Sequence, residues 1–318
     1  MNAIIVHGGR TFLPYISDCI EQFYLVNKSP VLYVIVDKSF EELNELKKKY
    51  PKLEIVFRKS LKTTFLHKLY LFFARLHSGW SGGFWRYVVE RFFLIQEFMQ
   101  QTGEENLLHF EYDNLIYEDI NNFEIQFSSL SDSKKILLPA DGDSRCIPGI
   151  VFIPNSESLR SFCKFYIRNC TIHIKNDMLA FSDFIDRKPN LCSTLPVVPS
   201  NYISGKTSLV SQNGVKHRKA KRLTNGIQLF QTIFDAAALG QYVGGIDQRA
   251  KGDVKMTIGY VNPDAAYDVR DFRIEWINND GLRKPSLVYK EESYPIFNLH
   301  IHSKNLRQYR SDFSPNKD

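Results

Sequence analysis

No uncharged apolar run in the sequence approaches the roughly 20 residues that a membrane span needs. A spanning helix is therefore not expected. No basic segment followed by a cleavable apolar stretch opens the chain. Cysteine is sparse: Cys19, Cys146, Cys163, Cys170 and Cys192 are scattered, odd in number and without the paired spacing of a metal site. The expectation is a soluble, cytoplasmic chain in a reducing compartment. A complete Gly-x-Gly-x-x-Gly run is also missing, and Gly8-Gly9 beside Arg10 is only a fragment of one. No nucleic-acid module is recognisable. The one strongly basic run, Lys216 to Arg222, lacks interleaved aromatics for base stacking, so no nucleic acid is expected as a partner. That run reads either as a solvated loop or as a contact with phosphates of a donor, acceptor or lipid. Peripheral contact with the inner face of a membrane stays open on this reading.

What the sequence does have is apolar bulk. Hydrophobic residues make up 43% of 318, with 24 Phe and 16 Tyr. That suffices for one large α/β domain or two modest ones. The formal charge of +6 suits an anionic substrate or surface. Ala3 to His7 reads as a strand that breaks at the glycine pair. Pro14 fits the first turn of a helix that buries Ile16, Cys19, Ile20 and Phe23. Val31 to Val36 is too continuously β-branched for a half-exposed strand. A helix over 40–50 and a strand over 53–57 complete a βαβαβ order, which predicts a largely parallel sheet. Further helices are expected over 62–75, 84–101, 156–166 and 177–184. Strands are expected over 136–139, 146–153 and 272–277. Residues 189–228 are irregular, and the tail from Arg307 is expected to fray.

The stretch Asn106 to Tyr117 carries the main candidate site. It starts as an apolar strand and ends in Glu111 and Asp113, which share a face if the backbone is extended. Ligands of open α/β sheets bind at the carboxyl ends of strands. Two acids beside apolar neighbours call for a cation, such as a divalent ion on a diphosphate; two solvated acids at an edge are the other reading. Asp141 and Asp143 form a second Asp-x-Asp, ranked behind the first because the glycine between them reads as a turn. Asp37, ending the second strand, either touches a nucleobase or ribose or caps the next helix. Trp80, in a stretch of small residues, either stacks on a base or sugar or plugs the core. In the 84–101 helix, Arg86, Glu90, Glu97 and Gln101 form a polar stripe. Arg91 falls on the opposite, apolar side and needs an anion there, either a core acid or a ligand's phosphate or ribose. Asp235, ahead of three alanines, could open a helix and reads as its cap. Near the end, His300 and His302 can offer imidazole to a metal, and Lys304 an ammonium to a phosphate. In a strand both histidines share a face. In a turn only one reaches a metal, and His300 is favoured because Phe297 and Leu299 anchor its approach.

With Glu111-Tyr112-Asp113 at a strand end and Asn298-Leu-His-Ile-His-Ser-Lys304 late in the chain, the sequence resembles the nucleotide-sugar glycosyltransferases of the GT-A type. Their Asp-x-Asp is here Glu-x-Asp. The resemblance implies a Rossmann-type α/β fold: an open, twisted, mostly parallel sheet flanked by helices, with an irregular acceptor-side C-terminal half. Residues 1–118 would be the nucleotide-sugar-binding half, 119–306 the acceptor-binding and catalytic half of the same compact domain, and 307–318 a polar tail. It implies Mn²⁺ or Mg²⁺ held by Glu111, Asp113, His300 and His302. Donor contacts would come from His7, Asp37, Trp80, Arg86, Arg91 and Lys304, with a UDP-sugar favoured. The acceptor would be a glycan, glycolipid or glycoprotein. Asp235 would serve as base in an inverting reaction, with Lys304 stabilising the leaving diphosphate. Two other readings share the pattern. A nucleotidyltransferase acting on sugar phosphates should show a fuller glycine-rich basic loop after the first strand. A non-catalytic carbohydrate-binding protein should bind neither metal nor nucleoside diphosphate.

Overall fold

The computed structural model describes residues 1–76, 84–170, 175–204, 206, 208–246, 258–279 and 281–314. The chain opens with β1 (Asn2–His7), α1 (Pro14–Val26), β2 (Leu32–Val36), α2 (Glu41–Lys49) and β3 (Leu53–Phe57), the βαβαβ order read from the sequence. There follow α3 (Phe65–Leu76), α4 (Phe84–Thr102), β4 (Leu107–Phe110), β5 (Asn114–Ile116), α5 (Glu124–Ser131), β6 (Ile136–Pro139), β7 (Ile150–Ile153), α6 (Ser156–Cys170), α7 (Asp177–Arg187) and β8 (Cys192–Leu195). The last part is built from short pieces: α8 (Ser200–Ile203), β9 (Leu209–Val210), β10 (Lys216–His217), α9 (Ile227–Phe230), β11 (Ile233–Phe234) and α10 (Ala238–Gly244). It closes with three longer strands, β12 (Arg273–Asn279), β13 (Leu282–Tyr289) and β14 (Glu292–His300).

The main sheet has the order β3-β2-β1-β4-β7-β6-β8. β1 runs parallel to β2 and β4, β2 to β3, and β6 to β8; β7 alone is antiparallel to its neighbours. The fold is a Rossmann-type mixed sheet, mostly parallel, flanked by helices and followed by an irregular C-terminal half. Alternation along each strand feeds two cores. Ala3 and Ile5 of β1 pack with Ile16, Ile20 and Phe23 of α1 on one face, while Ile4 packs on the other with Phe92 and Phe93 of α4. Both faces are covered, which is why these strands read as unbroken apolar runs.

One element gains a partner that the sequence did not show, and one expectation needs correction. The polar stripe of α4 is covered at its middle, between half-buried Arg86 and exposed Gln101. Glu90 and Glu97 are buried, and both ring nitrogens of His67 on α3 meet them, Nε2 at 3.1 Å from Glu90 and Nδ1 at 2.9 Å from Glu97. A polar stripe on a long helix marks a solvent face only when no second helix covers it, and here α3 does. The tail also does not fray over its described part. The Ser311 N–H donates to Gln22 Oε1 at 2.7 Å, the Tyr117 hydroxyl donates to the Tyr309 carbonyl at 2.8 Å, and Arg310 pairs with Asp18 at 3.2 Å. Its polarity serves docking on α1.

A smaller sheet, β11-β14-β13-β12, holds the C-terminal half, and β14 also pairs antiparallel with β5. That one pairing brings residues near 300 to the end of β4.

Candidate active site

β4 stops at Phe110, and Glu111-Tyr112-Asp113 is a turn rather than strand. The Glu111 N–H donates to the Gly149 carbonyl and the Asn114 N–H closes back on the Glu111 carbonyl, each at 2.9 Å. The two carboxylates therefore converge through a turn, not through the alternation of an extended backbone. β5 starts at once and pairs with β14, setting His300 opposite Asn114. The Ile301 N–H then donates to the Asp113 carbonyl at 2.9 Å. Two buried asparagines lock the junction: Asn298 Nδ2 donates to Asn114 Oδ1 at 2.8 Å, and Asn114 Nδ2 to the Gly149 carbonyl at 2.9 Å. Gly149 gives the ring its room, since a Cβ there would stand 2.7 Å from His300 Nδ1.

The outcome is one alternating row of charges. His300 Nε2 lies 3.3 Å from Glu111 Oε2 and 3.1 Å from Asp113 Oδ1. Lys304 Nζ pairs with the other oxygen of Asp113. Arg91 pairs with Glu111, reaches Asp177 Oδ2 at 2.8 Å and donates to the Pro148 carbonyl at 3.0 Å. Burial by itself would raise the Asp113 carboxyl; His300 and Lys304 reverse this and hold it well below the usual carboxylate range. Burial would lower the His300 imidazole, and Asp113 and Glu111 outweigh it, so the ring titrates above its ordinary value. Burial dominates at Asp177 and pushes it up to about 7 despite Arg91.

Glu111, Asp113 and His300 place one ligand atom each within 4.8 Å of one another, and among the described residues this is the cluster able to hold a metal ion. Two hard carboxylate oxygens and one imidazole suit Mn²⁺ or Mg²⁺. The donor set fits, provided His300 offers an unprotonated Nε2 and Lys304 turns from Asp113. Lys304 sits at a φ of 66°, in the left-handed region that a lysine rarely adopts. Such strain is maintained only where the surroundings enforce it.

The remaining predicted residues divide. The chain turns after His300, so His302 does not share its face. Its ring packs edge-on against His300 with centroids 4.6 Å apart, and its Nδ1 lies 3.2 Å from Gln241 Nε2. His302 is not in the ligand cluster. Arg91 is buried and pairs with Glu111 and Asp177, the core-acid alternative of its two readings, and so positions Glu111. Asp235 takes the structural role of the two read for it. Its carboxylate is buried and accepts three backbone N–H groups, from Leu239, Gly240 and His300, each at 2.9 Å. Burial pushes it up to about 6 against these hydrogen bonds. It caps α10 and holds the His300 backbone. Asp37 is exposed, with Arg58 at 3.6 Å, and does not cap α2, whose preceding residue is Phe40. His7 is buried, its Nε2 3.0 Å from the Thr11 carbonyl, and it packs among Phe12, Phe40 and Tyr112 rather than opening on a ligand. Arg86 lies 3.9 Å from Glu90 and over the Tyr87 ring. Trp80 lies outside the described residues.

Asp141 and Asp143 form the turn that the glycine between them suggests. Asp141 is engaged by Arg145, and Asp143 accepts the backbone N–H groups of Arg218 and Lys219. The basic run is thereby pinned at its backbone, while Lys219 and Arg222 pair with Asp186. Sequence reasoning missed Asp177, Asn114 and Asn298. Asp177 read only as a helix start, and a single polar residue inside an apolar strand was the overlooked signal for the asparagines.

No protein-family model matches the chain, and no curated protein matches it. Solved structures show partial likeness. Apo mouse xyloside xylosyltransferase 1 is 10% identical over 65% of this chain and 90% of its own, at a TM-score of 0.43. The glycosyltransferase GlyE of Streptococcus pneumoniae TIGR4 is 11% identical over 61% of this chain and 46% of its own, at 0.40. A cytidylyltransferase from Leptospira borgpetersenii is 7% identical over 61% of this chain and 75% of its own, at 0.35. At such scores no role transfers, and the site is read from its own geometry.

Proposed function

We propose that the chain is a metal-dependent glycosyltransferase that moves a sugar from a nucleoside diphosphate sugar, with a UDP-sugar favoured, to a glycan, glycolipid or glycoprotein acceptor. The observation that carries this reading is the convergence of Glu111, Asp113, His300 and Lys304 at the carboxyl end of β4, beside β1 in a mostly parallel sheet. Ligands of such sheets sit at that end. Glu111, Asp113 and His300 would hold Mn²⁺ or Mg²⁺. The bound ion would neutralise charge growing on the departing diphosphate. Lys304, released from Asp113, would place its ammonium on the same phosphate. Arg91 fixes the Glu111 carboxylate, and Asp235 fixes the backbone of His300. Asp235 is not proposed as the base, because its buried carboxylate already accepts three backbone N–H groups.

The test is turnover of a panel of nucleoside diphosphate sugars, followed by release of the nucleoside diphosphate with Mn²⁺ or with EDTA. One donor should be consumed only with metal, and Asp113→Ala should abolish that consumption. Pyrophosphate release from a nucleoside triphosphate and a sugar phosphate would favour the nucleotidyltransferase instead. Absence of metal and nucleoside diphosphate binding would leave a non-catalytic carbohydrate-binding protein.

A further inference from the structure

α3 has an outer face that the site does not use. Phe65 is 76% exposed and Phe72 58% exposed. With Lys68 and Arg75 they occupy positions i, i+3, i+7 and i+10, an arc of about 80° on a helix. The opposite side of α3 is committed: His67 and Tyr70 are buried, and their rings pack on Phe93 of α4. The Phe72 ring rests edge-on against half-buried Phe73, with centroids 5.6 Å apart, so the exposed aromatic stands on an apolar floor. Lys59 and Lys62, just ahead of the helix, are exposed too. From Arg58 to Val89 the sequence contains no aspartate or glutamate.

We infer that this face of α3 is a docking surface for an anionic lipid bilayer. A helix with bulky aromatics flanked by lysine and arginine can lie in the plane of a membrane interface, the rings entering the acyl boundary and the cations meeting headgroup phosphates. A stretch with no acidic residue offers charge complementarity to such a surface and no repulsion from it. No helix among the described residues is long and apolar enough to cross a membrane, so the contact would be peripheral. The surface differs from the basic run 216–222, whose backbone and two of whose cations are engaged by Asp143 and Asp186. The inference does not depend on the sugar-transfer reading.

Sedimentation of the full chain with sucrose-loaded vesicles tests it. One set is phosphatidylcholine alone, and the other contains phosphatidylglycerol. Binding should require the anionic lipid and weaken with salt. Phe65→Ser with Phe72→Ser, and separately Lys68→Glu with Arg75→Glu, should each weaken it roughly tenfold or more, with circular dichroism matching the parent. Lys216→Glu with Arg218→Glu and Lys221→Glu should leave binding in place. Four results would overturn the inference: no preference of the parent for anionic vesicles, unchanged binding by folded α3 variants, loss of binding only in the 216–221 variant, or a parent dimer by light scattering that Phe65→Ser with Phe72→Ser disperses.

Discussion

Arg91 on α4 and Glu111 at the end of β4 form an ion pair inside the protein, and the same guanidinium reaches Asp177 on α7 at 2.8 Å. One side chain thus joins two helices to the candidate metal site. Arg91→Leu would leave two carboxylates without their cation. Breaking a buried pair from one side costs about 3–5 kcal/mol. The expected result is a denaturant midpoint well below the parent's, and weaker Mn²⁺ binding by calorimetry in whatever fraction folds. Parent-like stability and metal affinity would show that Arg91 positions nothing.

Metal affinity should depend on pH through His300. The ring titrates above its ordinary value because Asp113 and Glu111 outweigh burial. A metal needs the unprotonated nitrogen, so it competes with that proton. Below the raised value, affinity should fall by up to about tenfold per pH unit, and above it level off. Calorimetry across the range reads this directly. His300→Gln should flatten the slope; a slope that persists in that variant would assign the proton elsewhere.

Asp235→Asn distinguishes a structural carboxylate from a base. One oxygen of Asp235 accepts from both Gly240 and His300, the other from Leu239. Asparagine turns an NH₂ group against at least one of these donors. The expected loss is about 1–3 kcal/mol of stability, with kcat per folded molecule staying within the parent's order of magnitude. A fully folded variant without turnover would restore Asp235 as a catalytic group.

Much of this architecture was legible in the sequence, and the exceptions share a cause. β3 falls on the predicted span Leu53–Phe57, because local apolar patterning determines a buried parallel strand. The acids Glu111 and Asp113 were found as a pair, yet for a reason the structure replaces, since a turn and not a strand face brings them together. The role of Arg91 was half visible: an arginine among apolar neighbours demanded an anion, but Asp177 lies 86 residues further along the chain. The structural contacts of Asp235 were not legible, because a carboxylate that holds backbone N–H groups and a catalytic one look alike in sequence. His300 and Asp113 meet only through the pairing of β14 with β5, a tertiary relationship that no local pattern encodes.

Lys304 should matter more in the transition state than in the ground state. On the proposed function, its ammonium would offset charge that grows as the diphosphate departs. Lys304→Met should therefore lower kcat by a larger factor than it weakens nucleoside diphosphate binding. Equal losses in steady-state kinetics and in calorimetry would reduce Lys304 to a ground-state contact.

The central claim is that Glu111, Asp113 and His300 bind a divalent ion that carries a nucleoside diphosphate. Anomalous diffraction from crystals soaked with Mn²⁺ and UDP tests it most directly. The account predicts a manganese peak coordinated by Glu111 or its water, by Asp113 and by His300, with diphosphate oxygens completing the shell and Lys304 turned onto the phosphate. Diphosphate density at this site without manganese, or manganese held only by other residues, would contradict it.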